Sequence, residues 1–122
     1  MIKVYRSHPG PDDYVGRVEA GGKVYGQEFG PDRYLGRVEE SGRVYRHIPG
    51  GPDEYLGRVA TDGTIYRHVA GGPDENVGRV EASGKVYVRR SGIAPDRLLG
   101  RVEGEPQLLA GGAAYFLLFA ED

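Results

Sequence analysis

The alternation of apolar and polar positions along the chain predicts a succession of short β-strands. In "PDRYLGRVEESGRVYR", residues 31–46, Val38 and Val44 stand between charged or aromatic neighbours, the two-residue period of a strand with one buried and one solvated face. The pattern recurs. "GRV" begins at Gly16, Gly36, Gly57, Gly78 and Gly100, and a Val-Tyr or Ile-Tyr pair ends at Tyr5, Tyr25, Tyr45, Tyr66 and Tyr87. The two series interleave with a period of 20–22 residues, which marks a repeated supersecondary unit. Between each "GRV" and the next Tyr lies a polar segment ending in Gly ("EAGG", "EESG", "ATDG", "EASG"), a hairpin turn. The longer return connections carry Pro11-Asp12, Pro31-Asp32, Pro52-Asp53, Pro73-Asp74 and Pro95-Asp96. Pro presets the first central position of a type I turn, and an Asp side chain bonds nearby amides.

Side-chain pairing fixes the register. With Gly42 in the left-handed position of a three-residue loop, Glu39 lies opposite Arg43. The same offset sets Glu19 against Lys23, Ala60 against Thr64 and Glu81 against Lys85. Three opposite charges and one neutral pair suit cross-strand neighbours. One step inward, on the other face, Val18 meets Val24, Val38 meets Val44, Val59 meets Ile65 and Val80 meets Val86; these pairs form the expected core. The next step sets Arg17, Arg37, Arg58 and Arg79 beside Tyr25, Tyr45, Tyr66 and Tyr87, where a guanidinium can lie on the ring.

"IKVY", residues 2–5, is a second strand with no first strand before it, and "LLGRVE", residues 98–103, is a first strand lacking its usual partner. Paired with each other in the common register, they set Lys3 against Glu103, Val4 against Val102 and Tyr5 against Arg101. The fold expected is therefore all-β: about five tandem hairpins closed into a ring by pairing the N-terminal strand with residues 98–103, an arrangement that leaves no exposed edge. The competing arrangement turns at "GEP" and pairs residues 98–103 with a strand in the tail. The chain is expected to be a single domain, residues 1–122, with a repeat region over 1–103 and an apolar segment over 104–122. Within that segment, residues 108–120 ("LLAGGAAYFLLFA") are too uninterrupted for a strand with one wet face and too Gly-rich at the start to favour a helix. A strand completing the fold is preferred; a plug through the ring and a contact between copies are the alternatives.

Tandem units of the form "YLGRVEESGRVY" resemble the bacterial beta-flower proteins, in which small hairpins surround a central axis. The resemblance covers residues 1–103, and hairpin repeats of the MORN and WG kinds share its Gly and Tyr spacing. The chain departs from both of those, having no Trp and no regular Gly-x-Gly. The resemblance implies a fold and no activity, so no functional residue is carried over.

Composition removes several chemistries. The chain of 122 residues has no cysteine, hence no disulfide framework, thiolate zinc site or thiol nucleophile. A net charge of -2 argues against binding nucleic acid through the bulk field. "MIKVYRSHPG" has no signal-peptide core, and the longest apolar run is shorter than the roughly 18 residues that span a bilayer; a cytoplasmic protein with no membrane partner is expected. No G-x-S-x-G elbow, Walker loop or H-E-x-x-H motif occurs, so no enzyme and no cofactor are expected. His47 and His68 are equivalent in neighbouring units, but His8 is out of phase and no carboxylate keeps a ligand spacing with them. The repeated Asp residues read as turn residues, without a D-x-D-x-D-G loop.

One pattern points to a ligand. Gly100, Gly36 and Gly57 face Arg6, Arg46 and Arg67 on the valine face. These arginines either lay their stems over the bare glycines and reach Glu28, Glu54 or Glu75, or converge on the axis and bind a small anion. Two function classes follow: a noncatalytic structural or protein-interaction module, with a protein partner or a second copy met through the apolar C-terminal segment, and a small-anion or small-ligand binding protein using Arg6, Arg46 and Arg67.

Overall fold

The computed structural model describes residues 1–27, 32–90 and 94–119. Ten strands alternate along the chain: β1 (Ile2–Arg6), β2 (Asp13–Val18), β3 (Lys23–Gly26), β4 (Arg33–Val38), β5 (Arg43–Arg46), β6 (Glu54–Val59), β7 (Thr64–Arg67), β8 (Glu75–Val80), β9 (Lys85–Val88) and β10 (Arg97–Glu103). They form a closed antiparallel barrel in consecutive order, β1 lying between β10 and β2. The tight hairpins are those read from the sequence. Val18, Val38, Val59 and Val80 pair with Val24, Val44, Ile65 and Val86, and Glu39 N–H donates to Arg43 O at 2.8 Å across the turn. Gly42 takes φ 97° there, which a residue with a Cβ adopts only at a cost. The ring closes in the expected register, with Lys3, Val4, Tyr5 and Arg6 opposite Glu103, Val102, Arg101 and Gly100.

The wide connections hold a feature that strict alternation does not predict. Between hairpins Val24 pairs with Gly36 and Tyr25 with Tyr34, so Leu35 is an extra, bulged residue. Val15, Leu56, Val77 and Leu99 hold the same place in the other units. Each bulge carbonyl accepts an amide from the neighbouring strand's exit, as Leu56 O does from His68 N–H at 3.0 Å. The bulge lets Tyr34 and Arg37 both face outward, although residues three positions apart lie on opposite faces of a regular strand.

Residues 108–120 do not form the preferred strand. α1 (Gln107–Ala114) and a π-helical turn, Tyr115–Phe119, run through the barrel as a plug; Ala120 lies outside the described residues. The reason is hydrogen bonding. Ten strands close on themselves and leave no edge to pair with, so a segment inside an apolar lumen must bond its own backbone, which a helix does and a lone strand cannot. The small residues are placed accordingly. Ala110, Gly111, Gly112, Ala113 and Ala114 are all buried, and a Cβ on Gly111 would stand 2.5 Å from Val80, one on Gly112 2.7 Å from Val59. Past the valine level the wall is lined by the "GRV" glycines and the plug carries large rings: a Cβ on Gly57 would meet Phe116 at 2.6 Å, and one on Gly100 Phe119 at 2.7 Å. Large side chains on the plug face small ones on the wall, and the reverse, which is how a lumen is packed without voids. The valines, Ile2 and Ile65 join Ala110, Ala113, Ala114, Phe116 and Phe119 in one core.

Candidate functional site

Most polar side chains among the described residues lie on the outer face. Among the described residues no polar or charged side chain is buried, and no cluster of His, Asp and Glu could hold a metal. The outer face carries a unit repeated five times. The guanidiniums of Arg17, Arg37, Arg58, Arg79 and Arg101 lie 4.5, 4.2, 4.3, 4.0 and 4.3 Å from the ring centres of Tyr25, Tyr45, Tyr66, Tyr87 and Tyr5. Each also meets the turn Asp of the next unit: Arg17 pairs with Asp32, Arg37 with Asp53 and Arg79 with Asp96, while Arg58 reaches Asp74 at 3.4 Å. Arg101 reaches Asp12 at 3.2 Å across the junction of the two ends. The belt is thus cyclic.

The sequence reading gave the Arg and Tyr partners and missed the Asp. Its signal was present, because the "GRV" and Pro-Asp series share one period and keep the same offset through the chain. Turn chemistry by itself also accounts for an Asp after Pro, which hides the second role; Pro31 lies outside the described residues. Two of the histidines, His47 and His68, pack against this belt. His47 packs on Tyr34 with ring centres 5.0 Å apart and lies 3.4 Å from Asp53; His68 repeats this on Tyr55 and Asp74 at 4.9 and 3.7 Å. His8 holds Pro9 O at 2.8 Å and Asp13 at 3.0 Å. The Pro9 carbonyl, then the Asp13 carboxylate, pull its pKa above the ordinary histidine value.

The candidate arginines turn to three different partners. Arg46 and Arg67 are exposed, and lie 3.9 Å from Glu54 and 2.6 Å from Glu75; Glu28 lies outside the described residues. Arg6 donates to Leu118 O at 2.8 Å and approaches the Phe119 ring at 5.7 Å, so it caps the carbonyl end of the plug, where a cation is favoured. The space that the glycines leave is occupied by the plug: Phe116 at Gly57, Phe119 at Gly100, and Leu118, 3.0 Å from a Cβ on Gly16. Tyr115 also sits at this level, its hydroxyl donating to Val77 O at 3.3 Å, and burial pushes its phenol pKa up.

The opposite, hairpin end of the barrel is open around the start of α1. A hollow of about 570 Å³ lies between the tips of two hairpins and the plug, lined by Ile2, Val18, Val38, Pro106 and Leu109 together with Glu19, Arg37, Glu39, Glu40 and Glu105. A second, of about 480 Å³, adjoins it over Val59, Ala60 and Leu108. Neither was read from the sequence, since they exist only because the plug enters there. No helix among the described residues is long and apolar enough to cross a membrane. Compared with protein-family models, curated proteins and solved structures, the chain matches none.

Proposed function

We propose that the chain is a noncatalytic β-hairpin-repeat module with a structural or protein-interaction role, kin to the bacterial beta-flower proteins and working in the cytoplasm. The observation that carries this reading is the filled lumen: the axis of the ring, where an enclosed ligand would sit, holds the chain's own apolar plug. The polar residues that remain are spread evenly over an outer belt, and each belt arginine is engaged by a neighbouring Tyr and Asp. The kinship is supported by repeated hairpins around one axis.

A thermal-shift series with orthophosphate, sulfate, adenylate and citrate tests the reading, because a ligand that binds only the native state raises the unfolding midpoint by mass action. The expected result is a shift no larger than that from sodium chloride of equal ionic strength. A saturable rise that disappears when Arg46 and Arg67 are changed together to Gln would replace this reading by that of a small-anion binding protein.

A further inference from the structure

The two hollows at the hairpin end form one furrow over the entrance of the plug. Both are lined by Glu40, Glu105, Pro106 and Leu109. Pro106 and Leu109 therefore make a low apolar ridge with an apolar basin on either side, and Glu40 and Glu105 belong to both basins. The basins arise from the mismatch between a slender helix and a ten-stranded mouth. α1 begins as "QLLAGG" and packs chiefly against β4, β6, β8, β9 and β10, leaving the first basin in front of Ile2 and Val18.

The charge around the furrow is mostly negative, with Arg37 the one cationic side chain against Glu19, Glu39, Glu40 and Glu105 among its lining residues. Glu19 and Glu39 are shared with Arg17 and Arg37 at 2.9 and 3.7 Å, and Arg37, which also lines the first basin, is engaged by Asp53 and Tyr45. Among the described residues Glu40 and Glu105 enter no ion pair, and both are exposed. Glu40 is peculiar to its unit: the equivalent residues are Ala20, Thr61 and Ala82. The partial positive charge of the plug's first turn is about half a unit and does not offset these carboxylates.

We propose that this furrow docks a protein segment in which a lysine or arginine is flanked by apolar side chains, the cation between Glu40 and Glu105 and the apolar groups in the two basins. The inference rests on the reading of the chain as an interaction module and names the partner's chemistry. An apolar floor supplies burial, while rim carboxylates select sign and orientation. A free anion is repelled there, and an acidic segment would set carboxylate against carboxylate.

The test uses the full chain and three acetylated, amidated peptides: Leu-Ser-Arg-Ser-Leu, Leu-Ser-Glu-Ser-Leu and Ser-Ser-Arg-Ser-Ser. Isothermal titration is paired with amide chemical-shift mapping. The first peptide should bind at least about tenfold more tightly than either other, with shifts at Val38, Glu40 and Leu109. Changing Glu40 and Glu105 together to Gln should weaken it by at least about fivefold, and raising sodium chloride to about 0.5 M should do the same in the unaltered protein. Equal binding of the Arg and Glu peptides, or shifts confined to the loop end near Arg46 and Arg67, would overturn the furrow while leaving the interaction module standing. No binding by any peptide, together with a saturable stabilisation by orthophosphate, would overturn both.

Discussion

At the scale of single residues the structure is ordered by one cyclic triad, in which an Arg lies over a Tyr and reaches an Asp of the next unit. Each part is modest, since exposed ion pairs contribute about 0 to 1 kcal/mol and exposed cation–π contacts about 0.5 to 1 kcal/mol. Arg58 is the cleanest place to measure them, because Ala60 stands where other units have a Glu and only Asp74 pairs with it among the described residues. Replacing Arg58 by Ala should cost about 1 kcal/mol, and replacing Tyr66 by Ala more, since a large ring is lost as well. A double-mutant cycle by urea unfolding should return a non-additive difference; strict additivity would mean the pair, 4.3 Å apart, does not interact. His8 offers a separate test by pH. Its folded-state pKa is raised, so its contribution is fully present below the unfolded value near 6.5 and is lost as pH rises through the higher folded one. A His8→Asn variant should therefore melt below the unaltered protein at about pH 5.5 and with it at about pH 9. The proton resonances of His8 should titrate with a midpoint above 6.5, and Asp13→Asn should lower that midpoint.

At the scale of elements the plug is where local preference and tertiary packing disagree. Two adjacent glycines weaken an isolated helix by roughly 1 kcal/mol each relative to Ala, and α1 has no side-chain cap at its start. Propensity alone would make Gly111→Ala stabilising. The lumen reverses the sign: the added Cβ would sit 2.5 Å from Val80, a stiff β-branched side chain that cannot swing away. Overpacking costs typically about 1 to 3 kcal/mol, so Gly111→Ala should lower the unfolding midpoint despite the better helix former. A rise would mean the plug is held more loosely than its burial indicates. Phe116→Ala should cost about 3 to 5 kcal/mol, because that ring is buried at the level of the bare Gly57. The strand expected over residues 108–120 failed for a reason invisible in the segment itself, namely that closure of the ring had already consumed every sheet edge.

At the scale of the whole molecule, closure by β1 and β10 is the arrangement on which the rest depends. Val4 is fully buried against Val102, and Arg101 completes the belt through Tyr5 and Asp12. Deleting residues 1–6 would expose two sheet edges, on β2 and β10, and open the side of the lumen. The shortened chain should lose its cooperative melting transition and aggregate. A deletion that melts like the full chain would show that the seam contributes nothing. Val4→Asp should destabilise the intact chain by several kcal/mol, roughly the cost of burying an unpaired charge without a partner, as read from its unfolding midpoint in urea.

The sequence by itself determined what local repetition can encode: hairpin turns at Gly42 and its equivalents, valines inward, Arg beside Tyr, and the complementary half-units at the two ends that pair Val4 with Val102. These follow from nearest neighbours along and across strands: the hairpin features recur in every unit, and the pairing of the two ends applies the same register once more. The bulges at Leu35 and its equivalents, the reach of Arg17 to Asp32, the helical form of the plug and the furrow beneath Glu40 and Glu105 were decided only in three dimensions. Each depends on the closed barrel: its curvature places a turn Asp beside the arginine of the preceding unit, its lack of a free edge obliges the C-terminal segment to bond its own backbone, and its breadth at the hairpin end exceeds that of the helix that enters it. Arg6 shows the division within one side chain, for its place opposite Gly100 is a matter of register, whereas its bond to Leu118 O exists because a distant segment ends in the space that glycine leaves.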